Sequence, residues 1–501
     1  MSAARPPDRP RRALAGLAAL ALAGSLAPSF AATADAPLRP CRIDGLRHEV
    51  RCGELRRPLD AARPDGPAIT LHYVVVPATA LHKQPDPVFF FAGGPGQSAI
   101  ALAGSVMPWF QRLGNRRDVV FIDQRGTGRS APLRCEPDAA RPLAERLDTA
   151  AAVARLQACR RALQALPHGD LRHYATPQAS ADAEAVRAAL GAPQVNLVGV
   201  SYGTRVALDV LRSHPQRVRR VVLDGVAPAD MVLPESLAAD AQAALDALFA
   251  DCAADPACRA RHPRLEARWA ELLASLPRRV ELIDPASGRP ATVTLSAETV
   301  AAAVRGPLYA PLLASALPFA IDEALAGRYT PLVGLAGSLG GGRGAGRIAE
   351  GMHFSVVCAE DAPRMADAPP AGAFAAFAQP YRELCADWPR APLPAGYGTL
   401  KASPVPVLAF SGTLDPVTPP RHGDRVVRAL GDVPAGGKAR HVVVEGAGHG
   451  VLGQGCAPEL LQRFVEAEDA AAALAVDTGC LTRRPRPPAF EPPGAGAGGA
   501  P

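Results

Sequence analysis

Short apolar runs rich in β-branched residues recur along the chain, and each stops at glycine, proline or a polar turn. Residues 69–76 (ITLHYVVV), 87–92 (PVFFFA), 118–123 (DVVFID), 218–224 (VRRVVLD), 405–410 (VPVLAF) and 441–445 (HVVVE) fit strands, as does the start of 195–204 (VNLVGVSYGT). Runs without alternation suit strands buried on both faces. Residues 133–166, 176–190 and 204–213 read as helices between them; Thr176, Ser180 and Asp182 offer caps and Gly191 a stop. Strands alternating with helices predict an α/β architecture: a mostly parallel central sheet flanked by helices. Residues 37–76 read as a leading β-hairpin region.

The pattern changes at residue 228. Up to about 400 it consists of Ala/Leu-rich helical segments broken by prolines, which predicts a helical cap or lid insertion. Within it, residues 337–346 (GSLGGGRGAG) look flexible, and 354–361 (FSVVCAED) is a short apolar run ending in two acids. The expected organisation is a signal peptide over 1–31, a first core segment over 37–227, the cap over 228–400, and a second core segment over 401–482. A Pro/Gly-rich tail, 483–501, reads as disordered.

Composition narrows the function classes. Apolar residues make up 48% and charged residues 20% of 501, so the chain has material for a large globular core. The net charge is +6, of which Arg5, Arg9, Arg11 and Arg12 against Asp8 supply half. No basic face interleaved with aromatics appears, so nucleic acid is not an expected partner. Arg11-Arg12 precede an apolar stretch over 13–26 and small residues at Ser29-Phe30-Ala31 or Ala32-Thr33-Ala34. That is the layout of a cleaved secretory signal, too short for a spanning helix. The expected location is periplasmic or extracellular, without a membrane partner after cleavage.

Ten cysteines fit export, because disulfides persist in oxidising compartments. They fall into five local couples, and short loops close most easily. The expected bridges are Cys41–Cys52, Cys135–Cys159, Cys252–Cys258, Cys358–Cys385 and Cys456–Cys480. No Cys-x-x-Cys, phosphate loop or dinucleotide fingerprint is present, so neither metal nor cofactor is expected.

The candidate chemistry sits after the strands. Gly199-Val200-Ser201-Tyr202-Gly203 lies between a strand and a helix, the setting of a nucleophile elbow. Asp415 follows the strand at 405–410, and His449 follows the strand at 441–445 between glycines. The chain order Ser201, Asp415, His449 is that of an α/β-hydrolase. Parallel strands put all three post-strand loops on one sheet edge. There His449 would take the Ser201 proton, and Asp415 would orient the imidazole. Gly93-Gly94-Pro95-Gly96 after the strand at 87–92 suits an oxyanion turn. Proline has no N–H, so Gly94, with Gly93 second, and Tyr202 are the expected donors. Asp224 also follows a strand and competes with Asp415; His353, His422 and His441 are less well placed than His449. Asp123 and Arg125 read as a structural ion pair.

Together, Gly93-Gly94-Pro95-Gly96-Gln97-Ser98, Asp123-Gln124-Arg125-Gly126-Thr127-Gly128-Arg129-Ser130, the elbow, Leu414-Asp415-Pro416-Val417-Thr418-Pro419 and Gly448-His449-Gly450 resemble the proline iminopeptidases. Length, leader and cysteines are similar to their exported tripeptidyl aminopeptidase-like branch. The resemblance spans roughly residues 40–480. It implies the α/β-hydrolase fold and release of N-terminal proline or short peptides through an acyl-enzyme. Ala92 departs from the histidine common in the family at that position, which loosens transfer of strict proline specificity. The resemblance also implies a cap carboxylate for the substrate ammonium, Glu360 first and Asp361 second; the alternative is a solvated acidic pair. A carboxylesterase or amidase of small molecules uses the same triad, because fold and triad fix acyl transfer and not the acyl group. The expected partner is thus a peptide, or a small ester or amide.

Overall fold

Among the described residues eleven strands form in chain order: β1 Arg39–Cys41, β2 Val50–Pro58, β3 Ala68–Val76, β4 Val88–Phe91, β5 Val119–Ile122, β6 Val195–Val200, β7 Val218–Asp224, β8 Arg278–Ile283, β9 Pro290–Leu295, β10 Val407–Gly412 and β11 Ala439–Val444. The computed structural model describes residues 37–136, 141–340, 346–367, 372–433, 436–481 and 484–492. The expected signal peptide over 1–31 lies outside them. Nine strands make one sheet in the order β1-β2-β3-β5-β4-β6-β7-β10-β11. The pairings from β5 through β11 are parallel, and those among β1, β2, β3 and β5 are antiparallel. The mostly parallel sheet of the sequence reading is what forms.

Every residue of β4, β5 and β10 is buried, as expected of strands with helices on both faces. Phe90, Phe110 and Phe121 pack on one face of the sheet with ring centroids 5.6–6.4 Å apart, Phe110 meeting each of the other two edge-on. The chain leaves β4 for β5 on one side and returns to β6 on the other. The carboxyl ends of β4 and β6 therefore meet at a switch in strand order, where open α/β sheets bind ligands.

Between β7 and β10 lies the insertion. Helices Leu233–Ala254, Leu265–Ala274, Ala297–Arg305, Leu317–Leu325 and Thr330–Gly340 share an apolar core of their own with Leu245, Leu272, Val304, Leu317 and Leu332. Three features differ from expectation. First, β8 and β9 form an antiparallel ribbon inside the insertion. Second, residues 354–361 end a buried helix, Glu350–Glu360, whose Met352, Phe354 and Val356 join the core of the sheet. Third, residues 337–340 continue a helix, while 341–345 lie outside the described residues.

Of the tail expected to be disordered, residues 484–492 are described and packed, and 493–501 are outside the described residues. The Arg484 amide donates to the Glu445 carbonyl (2.7 Å), and the Phe490 amide donates to the Ser315 carbonyl (2.9 Å). The Phe490 ring stands 5.6 Å from Phe319. Backbone donors that find carbonyls in this way anchor a segment that composition alone assigns to solvent.

The five disulfides are Cys41–Cys52, Cys135–Cys159, Cys252–Cys258, Cys358–Cys385 and Cys456–Cys480, the couples expected from their order. Among the described residues no helix is long and apolar enough to cross a membrane, and no cluster of His, Cys, Asp or Glu is arranged to hold a metal.

Candidate active site

Ser201 stands between β6 and the helix Tyr202–Ser213 with φ 55° and ψ −126°. A non-glycine residue held there is strained, and such strain persists only where the surroundings enforce it. The surroundings are backbone. The Ser201 amide donates to the Asp224 carbonyl at the end of β7 (2.8 Å), and the Ser201 carbonyl accepts from the Thr204 hydroxyl (2.6 Å). A Cβ at Gly199 would strike the Gly203 carbonyl, and one at Gly203 the Phe91 carbonyl. Both glycines are thus required for helix, elbow and β4 to pass so closely.

The expected oxyanion turn lies against this elbow. A Cβ on Gly93 would sit 3.0 Å from Cβ of Ser201. Gly94 adopts φ 111°, which few side chains tolerate. Among the described residues neither the Gly94 nor the Tyr202 amide donates to another backbone carbonyl. The Tyr202 hydroxyl is held inside, 2.9 Å from the Thr176 hydroxyl.

Asp415 and His449 are brought together. His449 Nδ1 donates to Asp415 Oδ2 (2.8 Å). The other lone pairs of the carboxylate are engaged too: Oδ1 accepts from the Val417 and Thr418 amides (2.8 and 2.9 Å), and Oδ2 accepts from the Thr418 hydroxyl (2.7 Å). Burial raises the Asp415 carboxyl, but His449 and these donors outweigh it and hold the group below its ordinary value. Burial likewise lowers His449, yet the Asp415 charge and hydrogen bond carry it above its ordinary value. The His449 loop is fixed from above: its amide donates to the Tyr309 carbonyl (2.9 Å), and the Tyr309 ring stands edge-on 5.2 Å from the imidazole.

Asp224 is not the partner of the imidazole. Its carboxylate accepts the amides of Val451 (2.8 and 2.9 Å) and Leu452 (2.8 Å), just beyond His449. Burial raises it to about 6. Gly225, the next residue, lies under the histidine ring; a Cβ there would be 3.3 Å from Cε1 of His449. Asp224 thus binds the elbow through its carbonyl and the histidine loop through its carboxylate. The remaining histidines are committed elsewhere: His422 to Asp240 (2.9 Å), and His441 to Asp424 (2.7 Å) and Ser411 (2.9 Å). His353 lies 3.2 Å from the Pro95 carbonyl and 3.0 Å from the Tyr381 hydroxyl. Burial lowers His353 to about 4, so it stays neutral and bridges the oxyanion turn to the helix Ala378–Ala386.

Two expectations need correction. Glu360 and Asp361 do not present free carboxylates. Glu360 accepts from the Thr176 amide (2.6 Å), from Arg205 (3.0 Å) and from the Tyr397 hydroxyl (2.5 Å). Asp361 accepts from Arg205 (3.1 Å) and Arg364 (3.1 Å). All of these partners belong to the fold, and both acids are at most 2% exposed, so a substrate ammonium finds no open oxygen there. Asp123 and Arg125 do not pair with each other either. Arg125 grips Asp182 with two 2.7 Å bonds, whereas Asp123 accepts from the Ser98 hydroxyl (2.6 Å) and the Ile100 and Arg129 amides (3.1 Å each). Both are structural.

The sequence reading assigns no role to Thr418, Tyr309 or His353. For Thr418 a signal exists: Asp-Pro-Val-Thr favours a turn in which the aspartate side chain accepts amides two and three residues on. The others come from the insertion, and nothing local in the sequence predicts where they land.

A serine in a strained turn, a carboxylate-oriented imidazole, and the Gly94 amide of the glycine turn with the Tyr202 amide of the elbow can together carry acyl transfer. Comparison with known proteins points the same way. Over 241 residues the chain is 32% identical to serine protease Hip1 of Mycobacterium tuberculosis, covering 44% of this chain and 45% of that protein. It is 30% identical over 218 residues to tripeptidyl aminopeptidase of Streptomyces lividans, covering 40% of each. It is 30% identical over 422 residues to carboxylesterase B of Mycobacterium tuberculosis, covering 76% and 78%. The chain thus aligns with less than half the length of the first two relatives and with most of the third. A family model described as alpha/beta hydrolase fold matches residues 86–455. That match takes in every strand from β4 to β11 and the loops of Ser201, Asp415 and His449, and the chain belongs to the alpha/beta hydrolase fold family.

Proposed function

We propose that the protein is an exported serine hydrolase, an aminopeptidase that releases N-terminal proline or short peptides through an acyl-enzyme. The observation that carries the serine-hydrolase reading is the Asp415–His449 hydrogen bond beside a strained, glycine-flanked Ser201. Nδ1 of His449 faces a carboxylate oxygen and must carry the proton, so Nε2 keeps its lone pair. In this reading Nε2 takes the proton of Ser201 as Oγ attacks the scissile carbonyl. The Gly94 and Tyr202 amides stabilise the tetrahedral oxyanion, an effect of about 2.7–4 kcal/mol per donor. His449 then returns the proton to the leaving amine, and water repeats the sequence on the acyl-enzyme.

Peptide substrates are favoured by two relatives, one named a serine protease and the other a tripeptidyl aminopeptidase. Export is supported by five disulfides and by the signal-like pattern of residues 1–31. A second reading, carboxylesterase or amidase, is supported by the longer alignment with carboxylesterase B. A panel of peptidyl anilides separates the two. The aminopeptidase reading expects turnover of free-amine Pro-, Ala- and tripeptidyl-anilides that is lost on N-acetylation. Hydrolysis of simple esters alone would sink it and favour the esterase.

A further inference from the structure

Arg305 ends the insertion helix Ala297–Arg305. Its guanidinium stands over two aromatic rings, with Cζ 5.5 Å from the centroid of Tyr309 and 5.3 Å from that of Phe377. One N–H group donates to the Tyr309 hydroxyl (2.9 Å), and the buried Nε has no hydrogen-bond partner among the described residues. Among those residues no carboxylate pairs with it. The buried arginines of the core are treated differently: Arg117 meets Asp86, Arg125 meets Asp182, and Arg205 meets Glu360 and Asp361. The helix end and the aromatic faces hold Arg305 in place, but neither supplies a full negative charge.

This cation stands beside the candidate catalytic histidine. The Tyr309 ring is edge-on to the imidazole at 5.2 Å, and the Tyr309 carbonyl accepts the His449 amide (2.9 Å). Arg305 is thus one ring away from His449, and its charge opposes protonation of the imidazole. Arg305, Tyr309 and His449 are all partly exposed, so a ligand can reach them together.

We propose that Arg305 binds a carboxylate at the far end of the leaving half of the substrate, which makes short fragments with a free carboxyl group the preferred leaving groups. The inference rests on acyl transfer by Ser201 and His449, not on the identity of the acyl group. As the scissile bond breaks, the proton that His449 took from Ser201 goes to the leaving nitrogen, which must then lie within hydrogen-bond reach of the imidazole. Side chains packed around that imidazole therefore flank the leaving half, and Tyr309 and Arg305 are successive steps away from it. At roughly 3.3–3.6 Å per residue, a leaving fragment of one to three residues covers those steps and ends at the guanidinium. A planar guanidinium held on aromatic faces is suited to a carboxylate, which it can grip with two parallel hydrogen bonds. A long polypeptide presents no carboxylate at that distance and gains nothing from Arg305.

The test is a ratio: kcat/KM for a substrate ending in a free carboxylate over that for its neutral amide. The pairs are Pro-Ala-Ala and Ala-Ala-Pro-Ala-Ala, each with a free amine and either a C-terminal acid or amide. A third pair is 4-acetoxybenzoate and 4-acetoxybenzamide, in which the leaving phenol carries the group. Wild type is compared with Arg305→Met, Arg305→Gln and Arg305→Lys, all normalised by fluorophosphonate titration. The glutamine variant serves if the methionine one folds poorly. Wild type is expected to prefer the acid about tenfold or more, the scale of a hydrogen bond to a charged group. The preference should vanish in Arg305→Met and Arg305→Gln and survive in part in Arg305→Lys. A wild-type ratio near one, or a preference unchanged within about twofold in both neutral variants, would overturn the assignment. Peptide cleavage without acid preference would sink this inference and leave the aminopeptidase reading standing. If no peptide is cleaved, that reading fails instead, and the acetoxybenzoate pair decides on Arg305 by the same criteria.

Discussion

Nδ1 of His449 lies 2.8 Å from Oδ2 of Asp415, joining loops that follow two neighbouring parallel strands, β10 and β11. The second carboxylate nearby, Asp224, spends its oxygens on the amides of Val451 and Leu452. The two acids are thus separated by geometry: one orients the imidazole, and the other anchors the loop that carries it. Asp415→Asn is expected to lower kcat by about 10⁴-fold by losing the correct tautomer. Asp224→Asn should cost far less in kcat and show mainly as a lower melting temperature. Comparable kcat losses in the two variants would contradict the division of roles.

The pH profile follows from the same pair. His449 must be neutral to accept a proton, and Asp415 favours its charged form over the opposing effect of burial. Activity therefore rises with pH through a pKa above the ordinary imidazole value of about 6.5. Once Asp415→Asn removes the carboxylate, burial acts on the imidazole without that opposition, and the acid limb of kcat/KM should move to lower pH. A wild-type limb centred below the ordinary value, or one unmoved in the variant, would count against the assignment.

Thr418 donates its hydroxyl to Asp415 Oδ2 at 2.7 Å, and the Thr418 hydroxyl oxygen itself lies 3.1 Å from His449 Nδ1. Hydrogen bonds to charged groups contribute about 1.5–3 kcal/mol. Thr418→Val should lower kcat by roughly tenfold to a hundredfold with little change in KM, while Thr418→Ser retains most activity. Failure of the serine variant to rescue would assign the loss to packing of the methyl group instead.

Arg205, on the elbow helix, is buried against Glu360 and Asp361. Arg205→Met leaves two buried carboxylates short of their cation, which costs about 3–5 kcal/mol of stability. Denaturant unfolding reads that loss directly. Glu360→Gln should be destabilising as well, but it should not selectively raise KM for free-amine over N-blocked substrates. A selective rise would restore Glu360 as the ammonium partner.

Much of this was legible in the residues themselves. The central strands are continuous apolar runs ended by glycine, and few other structures suit them. Ser201, Asp415 and His449 could be read because each follows such a run, and parallel pairing forces those ends onto one edge. Cysteine order was informative because the couples are local. The β8–β9 ribbon escapes because RRVELI alternates buried and exposed positions within Ala/Leu-rich surroundings. Glu360 misleads because its partner Arg205 is 155 residues away, and sequence position does not say that an acid after an apolar run meets a buried guanidinium. The segment 484–492 misleads for a related reason: proline content suggests disorder, but its amides find carbonyls on two distant elements.

The most direct test of the chemistry is at Ser201. Wild type and Ser201→Ala are incubated with a fluorophosphonate and, separately, with a peptidyl anilide, then digested and analysed by mass spectrometry alongside turnover. Acyl transfer through this residue requires one phosphonylated peptide, the one containing Ser201, and no turnover or labelling above background in Ser201→Ala. Turnover persisting in Ser201→Ala, or labelling at another residue, would contradict it.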